Sequence, residues 1–199
     1  MVRISESTIK YYNSYAQRFL VDTQTVSFEK SQRRFAEKII STAHILDFGC
    51  GSGRDTKYFL DHGYIVDAID GSDEMCKLAS EYTGIPVRHM LFQQLDEQEK
   101  YDGIWACASI LHLPLQELVS VLNKMVRALK PQGIIYTSFK YGTFEGERNS
   151  RYFTDMTEET FAALLEKVVA LSLEEQWISN DVRPGRGDEK WLNLILRKK

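Results

Sequence analysis

Apolar and polar positions along the chain alternate between helical and strand-like periods, with little sequence left over. Ser7 to Leu20 sets Ile9, Tyr12, Ala16 and Phe19 on one helical face, and Ser27 to Ser41 does the same with Phe28, Phe35, Ala36 and Ile39. Two leading helices are predicted. His44–Phe48 reads as a short buried strand, followed by glycines and a helix from about Gly53 to His62, with Tyr64–Ile69 as the second strand. Ser72 caps a helix with Asp73 and Glu74 in its first turn, Met75, Leu78 and Tyr82 facing inward, and Gly84 at its end. Pro86–Leu91 is a third strand. Tyr101–Ala108 is a fourth, its Ile-Trp-Ala-Cys-Ala run too apolar for a sheet face open to water. Leu115, Leu118, Leu122, Met125 and Leu129, three and four apart, mark the most regular helix, which Pro131 and Gly133 end. Gly133–Phe139 is the fifth strand, and Lys140 to Thr154 reads as a long polar loop. Thr157 and Glu159 open a last helix, with Phe161, Leu164, Leu165 and Val168 inward. Leu171–Ser179 and Lys190–Arg197 close the chain as an antiparallel hairpin around Pro184, Gly185 and Gly187.

The pattern is that of an α/β domain: a seven-stranded, mostly parallel sheet with an antiparallel last strand, helices on both faces and two extra helices at the N-terminus. One domain spans 1–199, with 1–42 as a helical cap and 43–199 as the core. Length and composition fit this, since 199 residues with 43% hydrophobic and 27% charged side chains make an ordinary folded domain. A net charge of −3 supplies no overall field for a polyanion, so nucleic acid is not the expected partner. Cys50, Cys76 and Cys107 are odd in number and far apart, which suits a reducing cytoplasm better than a disulfide framework, and no metal site is expected. No window approaches the roughly 20 apolar residues of a membrane span, and the opening segment lacks the apolar stretch of a secretory signal.

Candidate chemistry concentrates in Ile-Leu-Asp-Phe-Gly-Cys-Gly-Ser-Gly-Arg-Asp-Thr, residues 45–56, where the first strand turns into a helix. Gly49, Gly51 and Gly53 let the backbone turn sharply and let a ligand lie against it. A nicotinamide or flavin fingerprint wants a small residue where Arg54 stands, and a phosphate-binding loop wants Gly-Lys-Ser/Thr, which is absent. Asp47, just before the turn, repels phosphate and attracts an ammonium group, which points to S-adenosylmethionine. Asp70, at the carboxyl tip of the second strand, is placed to accept hydrogen bonds from both hydroxyls of a ribose; the plainer alternative is that it caps the next helix.

Asp-Phe-Gly-Cys-Gly-Ser-Gly-Arg-Asp-Thr, then Asp-Ala-Ile-Asp-Gly-Ser, then the run from Tyr101 to Pro114, then Leu-Lys-Pro-Gln-Gly-Ile-Ile-Tyr resemble, in this order, the successive motifs of class I S-adenosylmethionine-dependent methyltransferases, with their Rossmann-like fold. The opening Tyr-Tyr-Asn-Ser-Tyr-Ala and closing Trp-Leu-Asn-Leu-Ile-Leu-Arg are similar to small bacterial members labelled tellurite-resistance-like. The resemblance implies that the backbone around Gly49, Cys50, Gly51, Gly53 and Arg54, with the Asp47 carboxylate, holds the methionine part. It implies that Asp70 and Gly71 take the ribose, that Met75 packs on the adenine, and that Phe92, Gln93 and Leu95 edge the adenine. Cys107 and Ala108 are implied to line the cofactor through their backbone. Many members carry an acidic residue near Gln93, and this chain does not.

The acceptor is expected beyond the carboxyl ends of the strands. His112 follows the fourth strand and can serve as a base, hydrogen-bond a loop carbonyl, or simply line the pocket. Lys140, Tyr141, Arg148, Arg151, Arg183 and Arg186 fall on the same face. They either grip a carboxylate or phosphate on the acceptor or pair with Glu145, Glu147, Asp155 and Asp188 as a solvated surface, and the commonness of exposed pairs favours the second. Tyr11, Tyr12 and Tyr15 on the leading helix form a lid over the pocket or pack ordinarily, and one of the three suffices to face a ligand. The expected function is methyl transfer to a small soluble acceptor, with release of S-adenosylhomocysteine; a non-catalytic S-adenosylmethionine-binding module is the alternative.

Overall fold

The computed structural model describes residues 3–199, with side chains from Glu6 onward. Two helices lead, α1 (Arg3–Thr23) and α2 (Glu29–Ala36), and α1 is kinked at Tyr15. The core then alternates β1 (His44–Phe48), α3 (Arg54–Asp61), β2 (Ile65–Asp70), α4 (Asp73–Thr83), β3 (Val87–His89), β4 (Tyr101–Ala106), α5 (Leu115–Ala128) and β5 (Leu129–Lys140). A hairpin of β6 (Glu145–Arg148) and β7 (Arg151–Thr154), then α6 (Glu158–Leu165), β8 (Leu171–Asn180) and β9 (Lys190–Lys198), complete the chain. The main sheet has seven strands in the order β3-β2-β1-β4-β5-β9-β8, parallel except for β9, which runs antiparallel to both of its neighbours.

Strand alternation sends successive side chains to opposite faces, and both faces are covered. Leu46, Phe48, Ile104, Ile135 and Leu194 pack against α5 and α6. Ile45, Trp105, Ile134, Tyr136 and Ile195 pack against Phe35 of α2 and Phe59 of α3. At the centre of that second face Trp105 stacks on Tyr136, ring centroids 3.9 Å apart and planes 13° from parallel, an arrangement that adds to plain area burial.

Several elements differ from the sequence pattern: β3 covers only Val87–His89 of the expected Pro86–Leu91, and β5 begins at Leu129 rather than Gly133. Helix α2 stops at Ala36 rather than Ser41, where Ile39, Ile40 and Thr42 bring β-branched side chains that helices disfavour. The stretch expected as a polar loop holds the β6–β7 hairpin, closed by Asn149 and Ser150 at φ 52° and 61°. Two successive left-handed residues make the tight turn whose twist matches paired strands.

Candidate active site

All parallel strands of the core end at one edge, and there a cavity opens, bounded by the tips of β1, β2 and β4, the β8–β9 turn, the β6–β7 hairpin and α1. Such a crevice, where strand order reverses between β1 and β4, is where open α/β sheets bind ligands.

The β1–α3 turn is built by close approach. Gly49 has φ +88°, and a Cβ there would stand 2.6 Å from Cβ of Ser109 and 3.1 Å from the Phe92 ring. Gly53 (φ +76°) serves packing, since a Cβ would meet Thr83 of α4 at 2.8 Å; it does not line the cavity. The turn's donors are largely taken: Gly49 and Cys50 N–H both donate to the Ile69 carbonyl, and Gly51 N–H donates to Asp70 Oδ2 at 2.9 Å. The loop therefore offers its backbone surface and carbonyls more than free N–H groups. Gly51, Cys50 and Ser52 line the cavity, with Phe19 of α1 against Gly51.

Asp70 enters from the tip of β2 and lines the cavity. Burial raises its carboxyl above the ordinary range, while N–H groups of Ser72 (2.8 Å) and Gly51 pull it back. Ile9, Gly71 and Phe92 form an apolar wall beside it. Arg54 and Asp55 also line the cavity and lie together, with Arg54 Nε and one terminal nitrogen donating to the two Asp55 oxygens at 2.7 and 2.9 Å. Asp55 also accepts from Gln32 (2.7 Å) and from the Trp105 indole (2.9 Å). One carboxylate thus ties α2, α3 and β4 together, and the adjacent guanidinium holds it ionised. The cavity therefore joins an apolar wall with a carboxylate to a pair holding both signs of charge, which suits a nucleoside carrying an amino-acid zwitterion. Cys107 and Ala108 line it from the turn just after β4, Ala108 at φ 50°, a strained conformation for a residue with a Cβ, with its N–H held by Ser138 Oγ at 2.9 Å.

Several candidates from the sequence stand elsewhere. Asp47 lies 2% exposed beneath α3, where Thr56 Oγ1 donates to it at 2.6 Å. Burial, with Asp55 nearby, pushes its carboxyl up to about 8. Met75 and Leu95 are fully buried core residues, and Gln93 turns to Glu117, donating at 2.7 Å. Tyr15 is half exposed and Tyr11 packs on it, while Tyr141 bonds Glu158 at the surface. Tyr12 is the α1 tyrosine that reaches the cavity.

His112 does line it, with both ring nitrogens engaged. Its Nδ1–H donates to the Tyr152 carbonyl (2.6 Å), which leaves Nε2 to accept from the Tyr12 hydroxyl (2.9 Å). Burial lowers its pKa to about 4. Arg183 also lines the cavity, held by Asp181 through Nε at 2.9 Å and a terminal nitrogen at 2.5 Å. Arg151 lies over the rings of Tyr11 (4.4 Å), Tyr12 (5.8 Å) and Phe153 (5.2 Å). Sequence pattern gave no signal for Asp181 or Asn193, because the hairpin that brings them to the cavity pairs residues distant along the chain.

The topology is the Rossmann-like fold of class I methyltransferases, with its antiparallel last strand. Residues 45–133 match the family model described as a methyltransferase domain. Over 120 residues the chain is 32% identical to a bovine N-terminal Xaa-Pro-Lys N-methyltransferase, covering 53% of this chain and 54% of that one. It is 27% identical over 131 residues to an uncharacterized methyltransferase of Staphylococcus carnosus, covering 61% and 63%. The chain thus matches between half and two thirds of the length of these relatives. In structure it is similar to a Burkholderia thailandensis 1,6-didemethyltoxoflavin-N1-methyltransferase, solved with bound 1,6-didemethyltoxoflavin and S-adenosylhomocysteine. There the TM-score is 0.79 at 23% identity, covering 98% of this chain and 88% of the other.

Proposed function

We propose that this chain is an S-adenosylmethionine-dependent methyltransferase acting on a small soluble acceptor. The observation that carries the reading is that the Asp70 carboxylate, bonded to the motif turn through Gly51 N–H, lines one cavity with the apolar side chains of Ile9 and Phe92 and with the Arg54–Asp55 pair. In this reading Asp70 holds the ribose, Phe92 and Ile9 flank the adenine, and Arg54 with the Cys50–Ser52 backbone receives the amino-acid part. When bound, the cofactor supplies a sulfonium methyl group, displaced in line by the acceptor's lone pair.

The chain's own contribution is alignment and exclusion of water. Helix α1 roofs the cavity through Ile9, Tyr12 and Phe19. It is pinned to the motif loops by Asn13, which accepts from Ser72 Oγ at 2.7 Å, and by Thr23, which donates to Ser52 Oγ at 3.0 Å. His112 is a positioning residue in this account: neutral, anchored on the Tyr152 carbonyl, it fixes the direction of the Tyr12 hydroxyl. An acceptor's proton then leaves to solvent or is already absent.

A cationic peptide N-terminus, the substrate class named for the bovine relative, is disfavoured by electrostatics. Of the cations that line the cavity, Arg54, Arg183 and Lys140 are paired with Asp55, Asp181 and Glu189, while Arg151 beside the Tyr12–His112 pair has no carboxylate partner among the described residues and repels a second cation. The free cysteines, two of them buried, suit a reducing cytoplasm. The likeness to tellurite-resistance-like members rests on the terminal runs and says nothing of the acceptor.

The test is turnover: methyl-labelled S-adenosylmethionine with a panel of small heterocycles, amines and acids, and with Xaa-Pro-Lys peptides. Label in a small acceptor supports the reading. Label in peptides alone overturns its acceptor class, and tight cofactor binding with no acceptor labelled favours the binding-module reading.

A further inference from the structure

The cations around the outer half of the cavity differ in one respect. Lys140 is paired with Glu189, Arg148 with Asp155, Arg183 with Asp181 and Arg186 with Glu189. Arg151 has no carboxylate partner among the described residues, and its Nε is buried without a hydrogen-bond partner. Its guanidinium lines the cavity next to the Tyr12–His112 pair and is held in place by aromatic rings rather than by counter-charge. The tight β6–β7 turn delivers it there as the first residue of β7. The residue is only half-buried, so the rest of the fork can face a ligand, and a planar guanidinium fork matches a carboxylate edge to edge.

From this we infer that Arg151 is the anchor for an anionic group on the methyl acceptor, which makes the acceptor class a small carboxylate whose flat body lies among Tyr12, Phe153 and His112. The inference rests on the proposed methyltransferase reading and adds the charge of the substrate. Arg183 and Lys140, already neutralised, shape the outer rim. The pairing also gives Arg151 a specificity role, since an uncharged analogue leaves its fork unmatched.

The same chemistry has a second source, the carboxylate of the cofactor's amino-acid part, and the experiment separates the two. Calorimetry first measures S-adenosylhomocysteine and 5′-methylthioadenosine, which lacks that carboxylate, on wild type, Arg151→Gln and Arg151→Lys. Acetate, benzoate and nicotinate are then titrated against their amides on protein saturated with S-adenosylhomocysteine. The expected result is a preference of about tenfold or more for at least one acid over its amide, reduced in Arg151→Lys, abolished in Arg151→Gln, with S-adenosylhomocysteine affinity within about threefold of wild type. No preference in wild type, or one that survives Arg151→Gln, overturns the inference. So does an S-adenosylhomocysteine affinity that falls in Arg151→Gln while methylthioadenosine binds as before, which assigns the fork to the cofactor. Failure of wild type to bind S-adenosylhomocysteine at all defeats the methyltransferase reading instead.

Discussion

Asp47 and His112 are both held in the form that carries no charge, and each leaves a pH signature. Burial first, then the Asp55 carboxylate, pushes the Asp47 carboxyl up to about 8, against ~3.9 in an unfolded chain. A carboxyl raised on folding stabilises the fold fully below ~4 and loses that contribution as pH rises through about 8. Asp47→Asn, whose amide oxygen still accepts from Thr56, is therefore expected to melt above wild type near pH ~9 and to lose that advantage near pH ~5. A melting difference independent of pH contradicts this. For His112 the sign reverses: a ring lowered to about 4, from ~6.5 unfolded, stabilises above ~6.5 and loses that as pH falls through about 4. Its ring proton resonances should stay fixed through neutrality, and a midpoint near ~6.5 refutes the buried, doubly bonded ring. Period alone would have placed Asp47 and Tyr12. Ile45 faces α2 and α3, so Asp47, two positions on, must face them too, beneath the turn rather than at its mouth. Likewise the stripe Ile9, Tyr12, Ala16, Phe19 already singles out Tyr12, and Tyr11 and Tyr15 lie off it. Motif logic misassigned Asp47 because it reads spacing without the strand's two-fold alternation.

At the scale of elements, the hairpin β6–β7 was hidden by composition. Its strands are only four residues each, β6 is polar and largely exposed, and Asn-Ser is a weaker turn signal than Asn-Gly. Tertiary contact supplies what local pattern lacks: Thr8 of α1 accepts from Tyr152 N–H (3.0 Å), and Thr154 donates to the Leu113 carbonyl (2.7 Å). Ser150 at φ 61° carries a left-handed penalty of about 1 kcal/mol that glycine avoids. Ser150→Gly is expected to raise the melting temperature by a few degrees and leave S-adenosylhomocysteine affinity unchanged; a lowered melting temperature tells against the turn. The long core elements were legible because their periods are regular. Helix α5, with Leu118, Leu122 and Met125 fully buried, was read within one residue at its C-terminus. Contacts that build the site, Tyr12 with His112 in the cavity and Asp55 with Trp105 beneath it, join residues 100 and 50 positions apart and leave no local trace.

For the molecule as a whole, sheet topology fixes where chemistry can occur. Reversal of strand order beside β1 leaves a crevice, α1 roofs it, and β8–β9 with the β6–β7 hairpin close its outer side. Among the described residues no helix is long and apolar enough to cross a membrane. The central claim is that this crevice holds S-adenosylmethionine with Asp70 on the ribose. Titration calorimetry of S-adenosylhomocysteine against wild type and Asp70→Ala, with NADH as control, tests it most directly. The account predicts micromolar binding to wild type, at least about tenfold weaker binding to Asp70→Ala, equivalent to about 1.4 kcal/mol or more, and no binding of NADH. Absence of binding at millimolar concentration, or equal affinity for both proteins, contradicts it.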